Sequence, residues 1–393
     1  MKHDLAAVQA AIRAEGLAGW LLYDFRGANP IALELLAVPP GALLTRRFFY
    51  WIPAAGEPLR LQSSVEAHHF AWLPGRQRLF KGWRELEALL GQTLPQGAPI
   101  AMEYSPGGAL PTVSYVDGGT LEWLRGLGLA IVSSAELVQR LEAPWSAAAL
   151  AGHRRAAAAL ESIRRGAIAR LRSALAAGEP LSDHGLQTWM LAEMTAAGLE
   201  TNGPPIVAFG PDSGNPHHSP DRARPRWLAP EQAVLLDYWG RLAEPGAVYA
   251  DFTWMAYAGS ALPPAIADAW SALREARDAA LAFLAERFAA GESPQGREVD
   301  ALARARLAAA GYGEAFVHRL GHSIGREDHG PGANLDDLET REERRLIEGV
   351  AFSIEPGIYT PAWGLRTEVN ALHWQGALLV SGELQTTPEL LLA

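Results

Sequence analysis

Four carboxylates of this 393-residue chain lie inside or beside apolar, strand-like runs, where an acid is expensive to bury. Asp237 ends Ala233-Val-Leu-Leu, and Asp251 lies within Tyr249-Ala-Asp-Phe-Thr253. Glu355 follows Phe352-Ser-Ile and precedes Pro356-Gly357, and Glu368 falls in Leu365-Arg-Thr-Glu-Val369. A carboxylate taken out of water without compensation loses several kcal/mol, so each of these should be paired, hydrogen-bonded or metal-bound. Solvated acids cluster in loops and on polar faces, so four in apolar surroundings point to a shared purpose.

The histidines offer a second set of groups. His318-Arg-Leu-Gly-His322 has i,i+4 spacing, which on a helix would put both rings on one face, and His329 follows seven residues later. There is no H-E-x-x-H to make a zinc helix of it. Gly321-His-Ser-Ile-Gly325 matches the G-x-S-x-G elbow of serine hydrolases, but that elbow needs a helix after the serine. The sequel here, Arg326-Glu-Asp-His-Gly-Pro-Gly, is too rich in glycine and proline to supply one.

These pieces, in this order, resemble the creatinase/prolidase/aminopeptidase P group of metallopeptidases. Leu235-Leu-Asp-Tyr-Trp-Gly240 and Tyr249-Ala-Asp-Phe-Thr253 are similar to the group's two aspartate segments, and His318–Gly325 to its histidine-ligand segment. Phe352-Ser-Ile-Glu-Pro-Gly-Ile-Tyr359 and Gly364-Leu-Arg-Thr-Glu368 are similar to its two glutamate segments. The likeness runs from about residue 145 to 380 and is closest to a bacterial Xaa-Pro dipeptidase (prolidase). It implies two divalent metal ions, Mn²⁺ first and Co²⁺ or Zn²⁺ as alternatives. Asp237 would chelate one ion, Asp251 and Glu368 would bridge both, and His322 and Glu355 would complete the second. It further implies a metal-bridging hydroxide that attacks the Xaa-Pro peptide bond, with Glu355 taking the water's proton and passing it to the departing proline nitrogen. His217, in Gly214-Asn-Pro-His-His-Ser-Pro220, matches the group's active-site histidine better than its neighbour His218, and His318 and His329 match positions lining the substrate and the oxyanion.

Arg341 stands where prolidases carry an arginine for the dipeptide's terminal carboxylate. Its setting, Arg341-Glu-Glu-Arg-Arg345, reads equally well as a solvated charge run. Arg366, two residues before Glu368, is expected on the same strand face, orienting the carboxylates. The alternatives are an Xaa-Pro aminopeptidase acting on longer peptides, and a non-catalytic binding protein of the same fold, which would be expected to have lost ligands that this chain keeps. Departures from the group's pattern point to a divergent subfamily. Leu242-Ala-Glu-Pro-Gly246 is inserted between the aspartates, Trp254 replaces an arginine, Ser323 a glycine, and Gly330 an acid.

The elements that must hold these groups divide near residue 143, where Leu141-Glu-Ala-Pro-Trp145 separates two compositions. Residues 1–143 alternate short helices (Leu5–Glu15, Trp83–Leu90) with strands (Gly19–Tyr23, Arg46–Ile52, Pro99–Glu103), which predicts a small α/β domain of the creatinase/prolidase type. Residues 144–393 predict an α+β domain, pita-bread by resemblance. It opens on a long helix from Ser146 to about Ala177, with further helices at Pro263–Ala289 and Arg297–Ala310. Its strands are expected at Pro205–Gly210, Ala233–Asp237, Val248–Tyr257, Ala351–Tyr359 and Leu365–Trp374.

Hydrophobic residues at 49% and charged ones at 20% are ordinary for a globular chain. A net charge of −10 argues against nucleic-acid binding. The lack of any cysteine excludes disulfides and thiolate sites. With no signal-peptide pattern and no long uncharged apolar stretch, no membrane association and a cytoplasmic location are expected. By resemblance alone, the protein is expected to be a homodimer.

Overall fold

Apolar residues on both sides of a strand need cover on both sides, and the amino-terminal sheet is built that way. The computed structural model describes residues 1–393, which divide into two units, Met1–Glu142 and Ala143–Ala393. The first unit runs α1 (Leu5–Ala14), β1 (Gly19–Phe25), α2 (Pro30–Leu35), β2 (Arg47–Pro53), β3 (Leu59–Ser63) and β4 (Arg76–Phe80). It continues through α3 (Trp83–Thr93), β5 (Pro99–Met102), α4 (Gly118–Gly126), β6 (Ala130–Ser133) and α5 (Ala135–Glu142). The six strands form one mixed sheet in the order β4-β3-β2-β1-β5-β6. Leu21, Tyr23, Phe49 and Trp51 join one core with α3 and α4, whereas Trp20, Leu22, Tyr50 and Ile52 join the other with α1, α2 and α5.

The second unit opens with α6 (Ala147–Ala177) and α7 (Asp183–Ala196), followed by β7 (Leu199–Glu200), β8 (Ile206–Phe209), β9 (Ala233–Leu242) and β10 (Ala250–Tyr257). Next come α8 (Pro264–Ala289), α9 (Gly296–Ala309), β11 (Ser323–Ile324), β12 (Ala351–Ile354), β13 (Gly357–Tyr359) and β14 (Gly364–Arg366). The chain closes with β15 (Val369–Trp374), β16 (Ala377–Ser381) and β17 (Glu389–Leu390). Helix α6 reaches 31 residues because alanine and arginine hold it and both ends are capped. Ser146 accepts from the Ala149 amide, and Gly178 closes the helix at φ 66°. Helices α6 and α7 pack with Val234, Leu236 and Tyr238 of β9 in one core, and α8 and α9 share the other with Leu235, Met255 and Phe352. The central strands are therefore covered on both faces.

Two of the expected strands are interrupted. Ala351–Tyr359 breaks into β12 and β13 at Glu355-Pro356, and Leu365–Trp374 breaks into β14 and β15 at Thr367-Glu368. The pairs Ile354↔Val369 and Gly357↔Arg366 flank the gap, so both breaks fall at the same level of one antiparallel ribbon. Pro356 has no N–H to give a ladder, and the bond across the gap is the long 3.3 Å one from the Thr367 amide to the Pro356 carbonyl. From α8, the buried Arg277 braces the gap by donating to Thr367 Oγ1 at 3.0 Å. No helix forms over His318–His322; the segment bends at His318 and Leu320 before entering β11.

Candidate metal centre

Strands β9 and β10 present the first two carboxylates from one sheet face. Thr253 lies opposite Asp237, and Asp251 opposite Trp239, so Asp237, Asp251 and Thr253 project to the same side. The interrupted ribbon brings the two glutamates. Glu355 and Glu368 occupy the step just past the Ile354↔Val369 pair, where the backbone is free to turn both side chains away from the ladder. Asn370 ties the two sheets together, accepting from the Asp251 amide at 2.9 Å and donating back to the Asp251 carbonyl at 2.6 Å.

His322 arrives on a chain clamped to β12. Its amide donates to Ser353 Oγ at 2.9 Å, and its carbonyl accepts from the Ser353 amide at 2.8 Å. Only glycine fits before it, since a Cβ at Gly321 would lie 2.0 Å from the Ser353 carbonyl oxygen. The imidazole Nδ1 faces the Ser323 carbonyl at 3.2 Å, an acceptor only, so the proton belongs on Nδ1. Nε2 then points its lone pair at the carboxylates, 3.3 Å from Asp251 Oδ2 and 3.5 Å from Glu355 Oε1. That is the tautomer of a metal-ligating histidine whose other nitrogen is held by a carbonyl.

Asp251, His322 and Glu368 already place donor atoms within 4.8 Å of one another, all buried. One Asp251 oxygen, Oδ1, is buried with no hydrogen-bond partner. The electrostatics suit a bound cation. Burial, reinforced by Asp328, Asp237 and Glu355, pushes the Asp251 carboxyl well above the usual carboxylate range. Burial and the neighbouring Asp251, Glu355 and Asp237 do the same to Glu368. Asp237 is raised by burial against the opposing pull of Arg366. Glu355 goes the other way: burial opposes its charge, but nearby positive charge, including Arg366 and Arg319, holds it below the usual range. Oxygen-rich donors with one imidazole suit a hard or borderline divalent ion, which would supply the positive charge these acids lack.

Arg366 is the buried cation of the cluster. The strand ends at Arg366, yet Arg366 and Glu368 meet at the same Thr253 hydroxyl. The guanidinium donates to Asp237, and its Nε donates to Thr253 Oγ1 at 2.9 Å. Thr253 in turn donates to Glu368 Oε2 at 2.8 Å, so one hydroxyl links the arginine to the glutamate.

The remaining candidates are spread more widely. His318 is largely enclosed, with Nδ1 donating to the Arg319 carbonyl at 2.7 Å and Nε2 accepting from the Tyr359 hydroxyl at 2.8 Å. Burial lowers its pKa, in keeping with a neutral ring. The His329 ring lies tilted against His322 with centroids 4.1 Å apart, and its side chain is 64% exposed. His217 is exposed on the loop after β8, whereas His218 turns away to Asp183 at 3.4 Å. Arg341 is 59% exposed and pairs with Glu343 at 3.2 Å. Within the same charge run, Glu342 and Arg344 form a buried pair at 2.6 Å that also caps the Asn334 amide, so half of the run is internal scaffold. Ser323, the serine of the G-x-S-x-G match, accepts from the Gly332 amide at 2.9 Å and is followed by turns rather than a helix.

Sequence reasoning missed Thr253, Tyr359 and Asn370, which hydrogen-bond around the cluster, and the inward turn of Asp328. Thr253 and Asn370 were within reach, each two residues along a strand from a candidate carboxylate. Asp328 carried no such signal, because Arg326-Glu-Asp reads as solvated charge.

Comparison with known proteins identifies the chain. Residues 149–373, more than half of its length, match the model of metallopeptidase family M24. The chain belongs to that family. Among curated relatives, an Xaa-Pro dipeptidase of Lactobacillus delbrueckii subsp. lactis is 33% identical over 171 residues, 43% of this chain and 42% of the relative. A probable dipeptidase PepE of Mycobacterium tuberculosis is 37% identical over 164 residues, 42% of this chain and 40% of the relative. The matched stretch thus spans less than half the length of these relatives. Over the whole fold, the crystal structure of dipeptidase PepE from Mycobacterium ulcerans superposes with a TM-score of 0.66 at 25% identity, covering 98% of this chain and 96% of the other. Prolidases and an Xaa-Pro dipeptidase from Bacillus anthracis share the architecture, so the M24 unit here has the pita-bread fold.

Proposed function

We propose that this M24 protein hydrolyses Xaa-Pro dipeptides with two divalent ions held by Asp237, Asp251, His322, Glu355 and Glu368. The observation that carries the reading is that buried Asp251, His322 and Glu368 bring donor atoms within 4.8 Å of one another, with Glu355 3.5 Å from His322 and Asp251 Oδ1 without a partner. Bound ions would lower the pKa of a shared water towards 7 and polarise the scissile carbonyl. Glu355, held ionised by the permanent charges of Arg366 and Arg319, takes the water's proton and delivers it to the proline nitrogen. That delivery matters because a tertiary amide leaves poorly unless its nitrogen is protonated. Arg366 and Thr253 hold Asp237 and Glu368 in place through their mutual hydrogen bonds. His329 and His217, exposed beside the centre, supply donors to the substrate carbonyl as negative charge develops there.

Dipeptide substrates are supported by the likeness to an Xaa-Pro dipeptidase and a probable dipeptidase. The runner-up, an Xaa-Pro aminopeptidase acting on longer peptides, draws on the exposure of Arg341 and its pairing with Glu343, which leave it without a contact to the carboxylate cluster. Mn²⁺ as the native ion, a homodimer, a cytoplasmic location and a creatinase/prolidase-type role for residues 1–143 complete the reading. No helix is long and apolar enough to cross a membrane.

The test is to strip the protein with chelator, restore Mn²⁺, Co²⁺ or Zn²⁺, and compare proline release from Leu-Pro with cleavage of Leu-Pro-Gly. Metal-dependent turnover of the dipeptide alone is the expected result. Equal cleavage of the tripeptide transfers the assignment to the aminopeptidase, and no turnover of either with metal bound removes the Xaa-Pro assignment.

A further inference from the structure

Asp328 sits in an exposed, charged turn, yet is itself turned inward. Its neighbours Arg326 and Glu327 are exposed, whereas Asp328 is 9% exposed. The turn that inverts it is closed by the Gly325 amide on the Glu327 carbonyl at 3.0 Å and the Gly330 amide on the Ser323 carbonyl at 2.7 Å. Asp328 Oδ1 is buried without a hydrogen-bond partner, and the same is true of Asp251 Oδ1. The two carboxyls lie within hydrogen-bonding reach of each other. The other titratable groups that act on Asp328 are His322, Asp237 and Glu355, and His329 Nε2 stands 3.9 Å from Oδ2. No arginine or lysine pairs with it. Two neighbouring buried carboxylates, each with an oxygen left without a partner, are a costly arrangement, and a cation within reach of both would relieve it.

We propose that Asp328 is an additional ligand of the metal centre, binding the same ion as His322 and Asp251. This rests on the dinuclear reading above and adds a carboxylate to it. A further oxygen donor on that ion favours hard, highly coordinated Mn²⁺ over Zn²⁺, for which four ligands with nitrogen or sulfur are sufficient.

The experiment uses the full chain, chelator-stripped and titrated with Mn²⁺ and Zn²⁺ by calorimetry, alongside Asp328→Asn and Asp328→Glu. Thermal melts are taken with and without metal. Wild type is expected to bind two ions. Asp328→Asn should weaken one Mn²⁺ site at least tenfold, leave the other unchanged, and weaken Zn²⁺ less. Its metal-free melting temperature should be no lower than wild type, because a like charge has left the cluster, while the metal-induced rise shrinks. Asp328→Glu, which keeps a carboxylate, should recover part of the lost affinity. Unchanged Mn²⁺ affinities in Asp328→Asn overturn the proposal and leave the dinuclear reading intact. So does a lower metal-free melting temperature with the metal-induced rise preserved, which would make Asp328 a structural residue. Unchanged metal affinities with a raised KM for peptides would reassign it to the substrate's ammonium group. A wild type that binds no divalent ion removes both readings together.

Discussion

Glu355 and Thr253 do different work in the same few ångströms. Glu355 is the one carboxylate of the cluster held below its usual pKa, which suits a group that must be ionised to accept a proton. Replacing it by glutamine removes both a ligand oxygen and the proton acceptor. Turnover of Leu-Pro should fall by at least about 10²-fold, the low end for general acid–base catalysis, with an unchanged circular dichroism spectrum. Thr253 acts through its hydroxyl, which accepts from Arg366 and donates to Glu368. Thr253→Val keeps the shape but leaves a buried guanidinium Nε–H unpaired, a loss of about 1–3 kcal/mol that urea melts would register. Thr253→Ser should restore most of it. A Val variant as stable as wild type would show that Arg366 finds another acceptor.

The carboxylates and His322 could be read from residue type and spacing because burying a charge is expensive, and a sequence that does so repeatedly declares it. The long helices were equally readable, since α6 and α9 carry their caps locally and α8 opens on Pro263-Pro264. What sequence could not supply was the interruption at Glu355 and Glu368. Glu368 lies in a run of unbroken strand character and Pro356 marks a break beside Glu355 alone, so only the shared level of the two breaks, set by pairing between distant segments, turns both side chains into the site. Asp328 was hidden for the same reason, its burial being decided by a turn that closes on β11. Helix α6 carries a further consequence. His153 is buried against Trp145, with Nδ1 bonded to the Tyr249 carbonyl at 2.8 Å, and burial lowers its pKa to about 4. The ring is neutral in the fold and must gain a proton on unfolding below its ordinary value of 6.5. Its contribution is therefore complete above pH 6.5 and disappears as pH falls through 4, a loss of about 3 kcal/mol at one pKa unit per 1.36 kcal/mol. His153→Asn can keep a donor for the Tyr249 carbonyl without a titrating ring. The difference in urea stability between wild type and variant should shift by that amount between pH 7 and 4, and a constant difference would reject the account.

The two units should respond to acid in opposite senses. In the first, Glu103 is fully buried between Trp20, Asn29 and Ser134, and burial raises its pKa to about 7 although all three side chains donate to it. A carboxyl raised from 4.5 to about 7 stabilises the fold below 4.5 and loses that contribution as pH rises through 7. Lowering pH from 7 to 4.5 should thus raise the calorimetric transition of the amino-terminal unit, while protonation of His153 and release of metal lower that of the M24 unit. Glu103→Gln should abolish the first trend and leave the second. Parallel movement of both transitions would contradict the buried-acid assignment.

The proposed ligands begin on β9 and end on the far side of the interrupted ribbon, at Asp237 and Glu368, with most of the M24 unit threaded between them. A chain on its way to the native state holds at most a fragment of the site until β10 has met β15 through Asn370. Non-local pairings of this sort complete late, so the ion has nothing to grip before the folding barrier is crossed. Mn²⁺ should then act as a latch rather than a template. Saturating metal should leave the refolding rate of the M24 unit unchanged and slow its unfolding by the whole factor that binding adds to equilibrium stability. Faster refolding in the presence of metal would mean that the carboxylates assemble before the rest of the sheet.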